Sequence, residues 1–82
     1  MILNVIVEKS SDGWGAYAPD FDAAIVALGD TREEAIQDFR NALLDILDFR
    51  REEGRSVPDI TALEIRETRD VETLETRMAV AA

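Results

Sequence analysis

A chain of 82 residues with no cysteine and no histidine carries 18 acidic against 9 basic side chains, a formal charge of −9. That excludes a disulfide scaffold, thiol nucleophiles and the usual zinc ligands, and it argues against nucleic acid as a direct ligand, because phosphates are held by clustered lysine and arginine. What remains is one small domain, which buries only about 60% of its unfolded surface and draws stability from self-association or a partner.

The acidic excess is spread along the chain, −3 over residues 1–29, −4 over 30–54 and −2 over 55–82. A polyanion is repelled everywhere, whereas a basic protein is attracted and its encounter accelerated. Neither a membrane-length uncharged run nor a signal-peptide pattern at Met1-Ile2-Leu3 is present, so the expected setting is cytoplasmic, with no membrane contact.

Ile2-Leu3-Asn4-Val5-Ile6-Val7 is rich in β-branched residues; Leu3, Val5 and Val7 share one face, Ile2, Asn4 and Ile6 the other. Ser10-Ser11-Asp12-Gly13 supplies turn chemistry, and Trp14-Gly15-Ala16-Tyr17-Ala18 returns as the second arm of an antiparallel hairpin. Pro19 ends that strand by removing a ladder donor. Ala23-Ala24-Ile25-Val26-Ala27-Leu28 fits a third strand, stopped by Gly29.

The next start is a capping box. Thr31 caps with its hydroxyl, Glu34 reaches back to the cap amide, and Asp30, Glu33 and Glu34 sit against the positive helix terminus. With Gly54 as the stop, residues 32–53 make a helix of about 33 Å. Ala35, Ile36, Phe39, Ala42, Leu43, Ile46, Leu47 and Phe49 lie within roughly 160° of one another, and Leu44 falls about 140° from the stripe centre, an exposed leucine available to a partner. After the Arg55–Asp59 linker, Thr61-Ala62-Leu63-Glu64-Ile65-Arg66 alternates as a fourth strand. Residues 1–67 thus form the domain, and 68–82 a tail, either a short helix through Val71, Leu74 and Met78 or a strand. The expected fold is α+β: a small βββαβ domain, an antiparallel three-stranded sheet with one long helix on one face. The other face is left uncovered, so a dimer, a tetramer or a docked partner is expected.

The segments Glu8-Lys9-Ser10-Ser11-Asp12-Gly13-Trp14, Tyr17-Ala18-Pro19-Asp20-Phe21 and Gly29-Asp30-Thr31-Arg32-Glu33-Glu34-Ala35, closed by Glu52-Glu53-Gly54 and Pro58, resemble the HicB-like antitoxin family over residues 1–58. Each motif is weak alone; the ordered set is specific. In that pattern Gly13, Trp14, Tyr17, Gly29, Thr31, Glu34 and Gly54 are structural. The resemblance implies a domain like a partial ribonuclease H fold without nuclease activity, whose partner in a type II toxin-antitoxin system is a small basic HicA-type toxin that cleaves mRNA with a catalytic histidine. Pro19, Asp20, Asp22 and Asp30 are where the partner's cations are expected. Two departures stand out. Phe21-Asp22-Ala23-Ala24 replaces the family's common Leu-Pro-Gly-Cys, and residues 59–82, with six acidic against three basic side chains, are too short and acidic for a DNA-binding segment.

No cofactor is implied. Asp20, Asp22 and Asp30 would cluster at one end of the sheet in a reduced metal-dependent nuclease, but each has a turn or capping role that explains it. The alternative within the family is an orphan, toxin-less, homo-oligomeric protein-binding module.

Overall fold

The computed structural model describes residues 1–68 and 73–79, with Thr68 and the second segment as backbone. Five strands and one helix follow in the order β1 (Ile2–Ser10), β2 (Gly13–Tyr17), β3 (Val26–Gly29), α1 (Arg32–Glu52), β4 (Ala62–Thr68) and β5 (Thr73–Ala79). They form one sheet of order β3-β2-β1-β4-β5 with α1 across one face, closest to β3.

The hairpin closes in two residues, Ser11 and Asp12, between the paired Ser10 and Gly13. Gly13 has φ +139°, a backbone that side chains rarely adopt, and an added Cβ there would lie 2.7 Å from the Gly29 carbonyl oxygen. Ala27 pairs with Ala16, so β3 extends the antiparallel meander, but only from Val26. The expected strand from Ala23 begins only at Val26; ahead of it Phe21 and Asp22 are held at the helix C-terminus by Arg50, and Ile25 is buried.

The expected three-stranded antiparallel sheet is corrected to a mixed one. β4 pairs with β1 in parallel, from Ile2 with Ala62 to Glu8 with Thr68, and β5 pairs antiparallel with β4. A helix that leaves one side of a sheet and returns the chain to the free edge of its first strand produces parallel pairing, while alternation within a strand says nothing about its neighbour's direction. Over Thr73–Ala79 the tail is therefore a strand within the domain's sheet; Val71 of the helical reading lies outside the described residues.

Core-facing residues run in rows across the sheet. Leu3 with Leu63 and Val5 with Ile65 pack beneath Ile36, Phe39, Leu43 and Leu47, all buried. The next row pairs Val7 with Glu67, a residue that is 0% exposed and whose Oε1 lies 2.9 Å from Arg32 Nε. That ion pair links the first turn of α1 to β4.

Both helix ends carry the expected signals. Glu34 N–H donates to Thr31 Oγ1 at 3.1 Å, and the Glu34 carboxylate accepts from Asp30 N–H at 3.0 Å. The return bond lands one residue before the cap, on Asp30 just past the end of β3. At the other end Gly54 N–H donates to the Arg51 carbonyl and Arg55 N–H to the Arg50 carbonyl, a Schellman closure around Gly54 at φ +69°. No atom lies within 4 Å of a Cβ added at Gly54. Gly54→Ala is therefore expected to cost only the left-handed backbone penalty, about 1 kcal/mol, seen as a melting point lower by roughly 4–8 °C.

Candidate functional site

The sheet face opposite α1 is uncovered by described residues, and the β1 and β2 alternation sets what it presents. Ile6 stands beside Tyr17 and Tyr17 beside Val26; in the next row come Glu8, Gly15 and Leu28. Val26 is 77% and Leu28 70% exposed, while Ile6 and Tyr17 are half-buried. The Tyr17 hydroxyl donates to Glu8 Oε1 at 3.2 Å. Partial burial, then that bond and the Glu8 charge, raise the tyrosine above its ordinary pKa.

β3 is an edge strand in this order, and edge strands present unpaired backbone groups. Leu28 N–H points away from β2 and donates to Asp38 Oδ2 at 3.2 Å. At 100° per residue Glu34, Asp38 and Asp45 lie within about 40° of one another, so the flank of α1 beside β3 is an acidic ledge. All three are exposed.

The residues expected to meet a partner do not form one site. Pro19 and Asp20 are exposed and border a small depression on the open face with Asn4, Ile6, Glu64 and Arg66. Asp30 lies at the hairpin end beside Gly13, Trp14 and Leu28, at the opposite end of β2. Leu44 is half-buried rather than exposed, packed against the core in a groove with Val57, Pro58 and Ile60. Its place as the exposed apolar side chain is taken by Phe49, at 55% exposure.

Asp22 is already engaged. Its two oxygens accept from Arg50 at 2.7 and 3.3 Å, and the Arg50 guanidinium, in a residue that is 7% exposed, sits 5.3 Å from the Phe21 ring centroid. Hydrogen bonding to Arg50, helped by its charge, lowers the Asp22 carboxyl below 3.8 against a smaller opposing effect of desolvation. A carboxyl lowered on folding stabilises above its unfolded value, and that contribution is lost as pH falls through the folded value. The melting-point advantage of wild type over Asp22→Asn is accordingly expected at neutral pH and to shrink as pH falls below 3.8.

No family model, curated protein or solved structure matches this chain. Among the described residues no three acidic side chains converge to hold a metal ion, and no helix is long and apolar enough to cross a membrane. Asp20, Asp22 and Asp30, expected at one end of the sheet, are divided between its two ends. Four of the motif residues, Gly13, Trp14, Gly29 and Glu34, line one depression together with Asp30, where the hairpin, the end of β3 and the first turn of α1 meet, while Tyr17 lies on the open face and Gly54 at the far end of α1. Trp14 packs against the core there.

Sequence reasoning missed the Leu28–Asp38 contact, the acidic ledge and Glu67. For Glu67 a signal existed, since extending the Leu63 and Ile65 alternation by two residues puts it on the core face.

Proposed function

We propose that this chain is a HicB-like antitoxin domain, itself without catalytic activity, that binds and neutralises a small basic HicA-type mRNA-cleaving toxin. The observation that carries the reading is the ordered motif set, of which the Gly13-Trp14 and Gly29–Glu34 segments meet at one three-way corner of the fold. The antiparallel β1–β2–β3 meander followed by a helix that returns the chain parallel to β1 supports the partial ribonuclease H likeness. A net charge of −9 and the acidic flank of α1 favour a basic partner over nucleic acid.

The test is growth of cells expressing a HicA-type toxin sought beside this chain's gene, with and without the chain. Restored growth is expected; continued arrest at equal soluble expression sinks the reading. A toxin-less homo-oligomer is the second reading, favoured by the exposure of Val26 and Leu28 on the open face. A pull-down of the tagged chain from its own cells separates them, since the antitoxin reading requires a stoichiometric small basic partner and the second reading only further copies of the chain.

A further inference from the structure

The β3 edge joins three properties that are separately ordinary. Its outward side chains on the open face, Val26 and Leu28, are apolar and exposed. The helix flank on its other side is acidic through Glu34, Asp38 and Asp45. Between them, Leu28 N–H is held by the Asp38 carboxylate rather than by a backbone carbonyl. Asp38 occupies the position that the carbonyl of an added strand would take, and being exposed it can swing away toward a cation.

An added strand alternates its side chains between the two faces of the sheet. Those on the open face meet Val26 and Leu28; those on the helix side meet the acidic ledge. We infer that the β3 edge is the docking site for an extended basic segment of the partner polypeptide, in which apolar residues alternate with lysine or arginine. The segment adds as a further strand, takes over the Leu28 amide and gives Asp38 a cation in exchange. A second copy of this chain is a poorer occupant, because two-fold pairing of β3 edges brings Asp38 of each copy together on molecules of charge −9 each.

This assignment deepens the proposed function and rests on it only for the partner's identity, so its test uses a probe of defined chemistry. The full chain, labelled with nitrogen-15, is titrated at low salt with a synthetic peptide alternating lysine and valine. Two controls are the same peptide with glutamate for lysine and one N-methylated at alternate peptide nitrogens, which cannot complete a ladder. The expected result is amide shifts concentrated on Val26 to Gly29, largest at Leu28. Affinity should weaken with added salt and by roughly tenfold or more in Asp38→Lys and in Leu28→Lys, both exposed positions, in variants whose circular dichroism matches wild type.

Three results overturn the assignment: no shift in Val26 to Gly29 at about 1 mM peptide, equal binding of the N-methylated peptide, or a peptide-free dimer that Leu28→Lys dissolves. The last would place a second copy on the edge. Growth rescue separates this test from the broader reading: rescue by wild type with no peptide effect at β3 removes the docking site and leaves the antitoxin function. Failure of rescue with peptide bound at β3 does the reverse.

Discussion

Gly29→Ala is expected to lower stability by about 2–3 kcal/mol, at the upper end of what overpacking usually costs, and to lower the melting point by roughly 10–20 °C. The backbone conformation of Gly29 is one that any residue can adopt, so the whole effect is steric. A Cβ there would stand 2.5 Å from Ala35 N, 2.7 Å from Glu34 Cβ and 2.8 Å from Glu34 C. These atoms belong to the first helical turn, which is tied down by the Thr31 cap and by the Asp30–Glu34 bond, so no flexible side chain can yield instead. Urea unfolding of wild type and variant measures it. A change under about 0.5 kcal/mol, the range of ordinary surface substitutions, would mean that the helix start is not pressed against the end of β3.

Phe39→Ala is expected to cost more, about 3–5 kcal/mol, from the lost transfer of the ring and the cavity left behind. Phe39 is 0% exposed at the middle of the helix stripe, above the rows through Leu3 and Val5. A domain of this size has a total stability on the order of 4–12 kcal/mol, so the loss removes a large part of it and should lower the melting point by roughly 15 °C or more. Phe49→Ala is the matched control. With its ring 55% exposed, its loss should stay within about 0.5 kcal/mol, and a comparable loss at both positions would contradict the rotation of α1 on the sheet.

That pair of phenylalanines shows where sequence reasoning reached its limit. The 3.6-residue period put both on one stripe, because a stripe about 160° wide is broader than the contact a helix makes with a flat sheet. The buried line is the narrower Ala35, Ile36, Phe39, Leu43, Leu47 and Arg50, and the Val57–Ile60 linker covers the Leu44 flank instead of the Phe49 flank. Which flank a linker covers is a long-range fact that periodicity does not contain. The punctuation was legible for the opposite reason: turn, cap and stop at Gly13, Thr31, Glu34 and Gly54 are set by dihedral angles and hydrogen bonds within a few residues.

For the site, the same distinction holds. Asp22 looked free because its partner Arg50 lies 28 positions on, and Pro19 and Asp30 looked close because the span between them is short in sequence. An ordered strand keeps its ends apart. The acidic ledge could not be recognised until the helix was known to lie closest to β3, although its three carboxylates share one helical flank in the sequence.

The parallel pair at the sheet centre separates recognition from self-sufficiency. Residues 1–58 carry every motif, yet β1 finds its second neighbour only at residues 62–68, where Ile2 meets Ala62 sixty positions further along the chain. During synthesis the chain therefore completes its signature before its sheet, with one side of Leu3, Val5 and Val7 open until the last quarter emerges. Such late, distant pairing slows folding and exposes a strand edge to other nascent chains. The interval between residues 58 and 68 is thus the aggregation-sensitive stage in the life of this protein, and a truncation that keeps all the motif residues would prolong it indefinitely.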